Sequence, residues 1–151
     1  MKKMWMVRAG RGADYLDNFI ENNIVSIGWK EFGEIKPGDS KEKISEKLLA
    51  VNPHMSNGKV AISASQLYRF INEIDVGDYV VTYDPSRRVY HIGEVKSEPR
   101  YSPSEFEELP RIKTIGVRDQ LFLILEDIVL RHLFLKKWHW VMTGFEMRLR
   151  S

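Results

Sequence analysis

Three carboxylates and a lysine lie close together in one short stretch of the sequence. Asp78 and Asp84 precede Glu94, and Lys96 follows Glu94 after a single residue. A similar order occurs in nucleases in which two carboxylates hold a magnesium ion and the lysine stabilises the charge that develops during cleavage. A Glu-x-Lys row is equally typical of a charged, exposed strand face. A magnesium-dependent nuclease that uses Asp78 or Asp84 with Glu94 and Lys96 is therefore an alternative hypothesis for this chain.

Other catalytic and metal-binding patterns are absent from the sequence. It has no cysteine, and its four histidines show no close metal-ligand spacing. It also has neither a Gly-x-Ser-x-Gly elbow nor a cysteine nucleophile, which excludes the common hydrolase classes. The glycine-rich turn at residues 8–12 lacks the Gly-Lys-Ser/Thr ending of a phosphate-binding loop. We therefore predict no metal site and no cofactor.

Aromatic and polar residues at strand ends are candidates for binding a nucleic-acid base. Trp29 follows the predicted strand at residues 24–28, and Tyr83 and Asp84 end the first strand of a predicted hairpin. Trp29 and Tyr83 are the stacking candidates because an aromatic ring stacks on any base. Ser26 and Asp84 are the candidates for reading the base edge. The structural alternatives are core aromatic rings and a turn-capping aspartate.

Polar residues on a predicted helix and in two turns complete the candidate site. Gln66 and Arg69 are three residues apart and share one helix face. Glutamine bonds an adenine edge in two places, and arginine holds a phosphate or a guanine. Gln66 is also explained by an ordinary polar helix face. Arg8 in the glycine-rich turn, Arg69, and Arg87 with Arg88 at the hairpin tip are the candidate contacts to the nucleic-acid backbone.

The elements that position these residues follow from hydrophobic periodicity. Residues 75–95 contain two β-branched, aromatic-rich runs around an Asp-Pro-Ser-Arg break, a pattern that predicts a β-hairpin. Further strands are predicted at residues 4–7, 24–28 and 111–115, and helices at residues 14–22, 40–51 and 59–74. The last strand is expected to close a barrel. The predicted fold class is α+β.

Several short segments of the sequence resemble motifs of the PUA-like superfamily, in particular of its EVE and YTH branches. They are Val76-Gly-Asp78 with Ile92-Gly-Glu-Val95, Met4-Trp-Met-Val-Arg-Ala-Gly10, Ile27-Gly-Trp29 and Gln66-Leu-Tyr-Arg-Phe70. Together they are most similar to the N-terminal EVE-like domain of Mrr-type restriction endonucleases, over residues 4–115. The resemblance implies a small twisted β-barrel with helices packed against it.

The resemblance also implies a function in modification-dependent restriction, a defence system. Such domains bind nucleic acid, and the expected ligand is a modified base in DNA that leaves the stack and enters a pocket. An aromatic ring near Trp29 helps to wall that pocket in the resembled domains. Cleavage there belongs to a separate downstream domain, so the resemblance argues against enzyme activity in this chain.

Length and charge limit how the chain binds its partners. Its 151 residues, 43% of them hydrophobic, suit one core. Residues 1–110 carry 15 Lys/Arg against 17 Asp/Glu, so affinity for duplex through counterion release alone is weak, and binding must rest on a local groove or pocket. The absence of cysteine and of a long apolar segment leads us to expect a cytoplasmic protein and no membrane partner.

The tail after residue 116 differs in character from the predicted domain at residues 1–115. Residues 121–129 and 130–142 are apolar nearly all round a helix, so they require cover from the domain or from a partner chain. A homodimer or assembly module that uses this helix is a further hypothesis. The resembled proteins continue instead with a Ser/Thr/Arg-rich segment and a linker. We therefore hypothesise that a frameshift or a truncation produced residues 116–151.

Overall fold

The computed structural model describes residues 2–117, with side chains to residue 116, and the backbone of a strand at residues 138–141. The strands are β1 (Met4–Val7), β2 (Ile24–Ile27), β3 (Tyr79–Asp84), β4 (Val89–Val95), β5 (Arg100–Tyr101), β6 (Arg111–Val117) and β7 (Trp138–Val141). The α-helices are α1 (Leu16–Asn22), α2 (Lys41–Val51) and α3 (Asn57–Tyr68). The fold is α+β, as predicted.

The strands form one curled sheet shaped like a half-barrel. Its order is β2-β6-β4-β3-β1-β7, and β5 pairs with β6. β1 runs parallel to β3 and to β7, whereas the other pairs are antiparallel. The predicted hairpin is confirmed as β3 and β4, with Tyr79 opposite Glu94 and Asp84 opposite Val89. A helical layer of α1, α2 and α3 accompanies the sheet.

The hydrophobic core lies between the inner sheet face and the helices. Strand alternation sends Trp5 and Val7 of β1, Val80 of β3 and Val95 of β4 to this face, where they are buried. The helices contribute Leu16, Phe19, Ile44, Leu48, Ala64 and Leu67 to the same cluster. Burial of each large apolar side chain contributes roughly 1.5–3 kcal/mol. None of the helices within the described ranges is long and apolar enough to cross a lipid bilayer.

The helices α2 and α3 begin at capping serines. Ser40 Oγ accepts a hydrogen bond from Lys43 N–H at the start of α2, and Ser56 Oγ accepts one from Lys59 N–H at the start of α3. The helix predicted at residues 59–74 is α3 followed directly by a π-helix, Arg69–Glu73. The sequence pattern does not separate these two helix types, because a π-helix of five residues is only about one turn long and too short to show its own period.

The C-terminal tail departs from prediction in one place. The apolar pattern predicts a helix through residues 130–142, and this is wrong for Trp138–Val141, which form β7 beside β1. Two tryptophans and a valine lie among these four residues, and aromatic and β-branched residues favour a strand when a partner edge is available. The helix predicted at residues 121–129 and its homodimer contact lie outside the described residues.

Candidate functional site

The predicted site residues divide between two ends of the sheet. β2 and β4 run in the same direction because each is antiparallel to β6. The end of β2, which leads to Trp29, is therefore at the opposite end of the sheet from the turn that joins β3 to β4. Trp29 and Ser26 thus do not share a pocket with Tyr83 and Asp84. We name the two places the Trp29 loop, residues 28–33, and the hairpin end, residues 83–90 with Arg8.

The hairpin end combines an aromatic pair with arginines. The rings of Tyr83 and Tyr90 have their centroids 4.8 Å apart with a 41° angle between planes, and Tyr83 is 38% exposed. Thr82 Oγ1 donates to Val7 O at 2.8 Å, so the next residues along these neighbouring strands, Arg8 and Tyr83, are brought close together. Arg8 is exposed.

The turn that joins β3 to β4 adds two further cations. Arg87 and Arg88 are exposed in this turn, and Arg88 has a φ of 56°. The structure therefore brings together three of the predicted backbone contacts beside one predicted stacking residue.

Asp84 organises the same turn. Its carboxylate is buried, and Oδ1 accepts hydrogen bonds from Ser86 Oγ at 2.6 Å, Ser86 N–H at 2.9 Å and Arg87 N–H at 3.1 Å. The bond from the Ser86 hydroxyl is the main cause that lowers the pKa of Asp84, although burial opposes it. Oδ2 lies 3.9 Å from both Arg87 Nε and His91 Nε2. Most of the bonding capacity of Asp84 thus stabilises the turn.

The Trp29 loop has an unusual backbone. Trp29 is half-buried and has φ 62° and ψ 47°, in the left-handed region that bulky residues rarely occupy. Arg111 reaches this loop from β6. Its Nη1 donates to Gly28 O and, at 3.0 Å, to Trp29 O, and its Nη2 donates to Gly33 O. One guanidinium therefore joins both ends of the loop.

Arg111 is buried, and none of the described carboxylates forms an ion pair with it. The residue is 2% exposed. Burial lowers the pKa of Arg111 to about 10. The guanidinium carbon lies 5.6 Å from the centroid of the Tyr101 ring, and Nε is buried without a hydrogen bond to any described residue. Carbonyl dipoles and an aromatic face thus compensate the charge.

A second segment packs against the Trp29 loop. Ser26 is fully buried, and its hydroxyl donates to Leu109 O at 3.0 Å, so reading a base edge with Ser26 requires breaking this bond. A Cβ on Gly28 would lie 3.3 Å from Glu108 O, which indicates close backbone contact. Lys30 forms ion pairs with Glu108 and, at 3.5 Å, with Glu107. The loop is therefore held from both sides.

Gln66 and Arg69 lie in the helical layer and not at either strand end. Gln66 is half-buried in α3, and Arg69 begins the π-helix, where its Nε lies 4.0 Å from Glu73 Oε2. The two residues remain neighbours, as their spacing predicts.

The carboxylates of the nuclease alternative are not assembled. Tyr79 faces Glu94 in the β3–β4 register, so Asp78, one residue earlier, projects to the opposite face. Burial raises the pKa of Asp78, but hydrogen bonds from Lys3 N–H, Trp5 Nε1 and Asp75 N–H outweigh it and lower the pKa. Across the described residues there is no group of three histidines or carboxylates that could hold a metal ion.

A second buried cation on β6 was not predicted from the sequence. Lys113 is fully buried, and its Nζ donates to Ile74 O at 2.7 Å, just beyond the π-helix. Burial lowers its pKa to about 8. The alternation in Arg111-Ile-Lys113 puts both cations on one strand face. That face is the inner one because Ile115, on the same face of β6, pairs with buried Val95.

Comparison with known proteins gives one match. A family model described as a domain of unknown function, DUF8426, matches residues 5–116. Neither the curated proteins nor the solved structures contain a match to the chain. The matched range includes both the hairpin end and the Trp29 loop.

Proposed function

The chain belongs to the DUF8426 family of domains of unknown function, and we propose that it is a nucleic-acid-binding module whose ligand is a modified base in DNA. The single observation that carries the proposal is the hairpin end, where exposed Tyr83 contacts the tilted ring of Tyr90 and where Arg8, Arg87 and Arg88 also lie. The resemblance to EVE-like domains of restriction enzymes supports the same function. The half-barrel sheet is compatible with their PUA-like fold.

The arginines of the hairpin end suit contacts to phosphates. Residues 1–110 have a slight excess of acidic residues, so the binding energy must come from a local concentration of positive charge. Asp84 contributes a negative charge here, but its buried carboxylate is directed to the turn and to Arg87. Exposed Tyr83 adds a stacking surface worth roughly 1–3 kcal/mol per base.

Trp29 is the second stacking residue, and the register separates it from Tyr83. β2 pairs with residues 111–114 of β6 and β4 with residues 115–117, so along the sheet Trp29 and Tyr83 are separated by more than the length of β3, which is about 20 Å at roughly 3.3 Å per residue. One base therefore cannot be sandwiched between the two rings. We assign Tyr83 to a base next to the contacted phosphates and Trp29 to the modified base.

Binding to short duplexes tests the proposal. The duplexes are unmodified or carry N6-methyladenine, 5-methylcytosine or 5-hydroxymethylcytosine, and binding is measured at about 0.15 M salt. We expect a preference for one modified duplex. Trp29→Ala should remove that preference, whereas Tyr83→Ala should weaken binding to all duplexes about equally, by roughly tenfold.

The salt dependence of binding tests the arginine contacts. The logarithm of the binding constant falls as the logarithm of the salt concentration rises. Replacing both Arg87 and Arg88 with alanine should make this negative slope less steep by about two. Lys59→Ala is the matched control because Lys59 is exposed on α3, away from the hairpin end, and its loss should leave the slope unchanged. Equal slopes in all three proteins, or no duplex binding at all, would contradict the proposal.

A further inference from the structure

We propose that Arg111 is a positioning residue that fixes the backbone of the Trp29 loop, so that Trp29 is held ready to stack before a base arrives. The inference rests on the proposed function for its biological meaning. Its structural part, the control of Trp29 by Arg111, does not depend on any ligand.

The hydrogen bonds of Arg111 close the loop at both ends. Gly28 O and Trp29 O accept from Nη1, and Gly33 O accepts from Nη2, so the six-residue loop is bound at its first two residues and at its last. Two 3₁₀ hydrogen bonds also lie inside the loop, from Phe32 N–H to Trp29 O and from Gly33 N–H to Lys30 O. Two such bonds are too few to fix the conformation of the loop backbone by themselves. The left-handed backbone of Trp29 persists because these contacts outweigh its steric cost.

The chemistry of the site requires arginine. A guanidinium offers five N–H donors in a planar fork, and here the fork spans three carbonyl oxygens that belong to different parts of one loop. A lysine ammonium carries its donors on one nitrogen and cannot reach both ends at once. A buried cation without a carboxylate is a poor source of stability compared with an apolar side chain. Its geometric role explains why an arginine occupies this buried position.

The surroundings of Arg111 hold its side chain in place. Arg111 pairs with Tyr101 of β5 in the sheet, and the Tyr101 ring lies over its guanidinium. The segment at residues 107–109 packs against the start of the loop, with Glu108 O close to Gly28, and Leu109 O accepts the hydrogen bond from Ser26 just before the loop. Arg111 thus has a fixed orientation from which to position the loop.

Fluorine NMR of the full chain labelled with 5-fluorotryptophan tests the inference. Trp29→Phe identifies the Trp29 signal. We expect Arg111→Met to shift or broaden this signal while the Trp5 signal stays in place. Arg111→Lys should resemble Arg111→Met, because one ammonium cannot hold both ends of the loop.

A glycine pair keeps the test decisive if the Arg111 variants do not fold. Gly33 and Gly38 both have positive φ, 60° and 89°, and a Cβ on either would meet no atom within 4 Å. Only Gly33 is bonded to Arg111. Gly33→Ala should therefore move the Trp29 signal, and Gly38→Ala, which also places a side chain at positive φ but outside the loop, should not. A Trp29 signal that is unchanged in Gly33→Ala, or equally changed in Gly38→Ala, overturns the inference.

Binding to the four duplexes separates this inference from the proposed function. Gly33→Ala should reduce the ratio of affinities for modified and unmodified duplex about tenfold, which corresponds to the contribution of one stacked base. Its affinity for the unmodified duplex should change by less than about twofold. A wild-type protein that binds no duplex contradicts the proposed function and leaves the fluorine result to decide the role of Arg111. Retained preference in a Gly33→Ala protein with a displaced Trp29 signal overturns the link between loop geometry and recognition.

Discussion

Replacing Lys113 with methionine should stabilise the protein at neutral pH. Lys113 is fully buried, and burial lowers its pKa from 10.5 to about 8. At about 1.4 kcal/mol per pKa unit, keeping the ammonium charged inside the core costs about 3 kcal/mol near pH 7. Methionine removes this cost but leaves Ile74 O without its donor, a loss of about 1–2 kcal/mol. The expected net gain in the free energy of unfolding is about 1–2 kcal/mol.

The gain should depend on pH with a definite sign. Between about pH 8 and 10.5 the unfolded chain holds the Lys113 proton and the folded chain releases it, so the stability of the wild type rises with pH. The advantage of Lys113→Met should shrink over this interval and reverse above it, where neutral lysine keeps its bond to Ile74 O without the charge. All other titrating groups are common to both proteins and cancel in the difference.

Urea unfolding followed by circular dichroism measures this difference at several pH values from about 7 to about 10. Lys59→Met is the matched control because Lys59 is exposed, and its difference from wild type should not vary with pH. A Lys113→Met protein that is less stable than wild type near pH 7, with a difference that stays constant as pH rises, refutes the reasoning.

Two further predictions concern packing and acid stability. Gly93→Ala should destabilise the protein by about 1–3 kcal/mol, because its Cβ would lie 1.9 Å from Cγ2 of buried Ile115. The Cβ of Gly116→Ala would meet the flexible side chain of Lys96, so this control should lose less stability. Thermal unfolding of the two variants measures the difference. The hydrogen bond from Lys43 lowers the pKa of Asp39 to about 2, so this carboxylate stabilises the fold above about pH 4 and loses the effect as pH falls towards 2. Asp39→Asn should remove about 1 kcal/mol of that acid-dependent stability, after allowance for solvent screening, in unfolding measured against pH.

Local patterns in the sequence predict the elements of the fold well. The alternation of Tyr79, Val81 and Tyr83 against Val80 and Thr82 indicates a strand with two faces, and β3 confirms it. This inference depends only on residues that are neighbours in the chain. The starts of α2 and α3 are local in the same sense, because a capping serine bonds a backbone N–H in the first turn of the helix that it begins.

The arrangement of the site is not local and was not predicted. Trp29 and Tyr83 both follow strand signals, but only the order β2-β6-β4-β3 determines that they lie at opposite ends of the sheet. Arg111 and Lys113 read in the sequence as an ordinary charged strand, because burial of a cation depends on which elements cover it. The strand at Trp138–Val141 likewise depends on a distant edge, that of β1.

The position of β1 in the sheet has a consequence for synthesis. Met4 pairs with Tyr79 on one side and with Trp138 on the other, and Asp78 bonds the Trp5 indole. At a translation rate of 5–20 residues per second, β1 leaves the ribosome about 4–15 seconds before its first partner. During that interval its apolar residues have no native strand to pair with. The pairing of β1 is therefore completed only after β3 and β7 have been synthesised, so this strand depends on residues far along the chain for its place in the sheet.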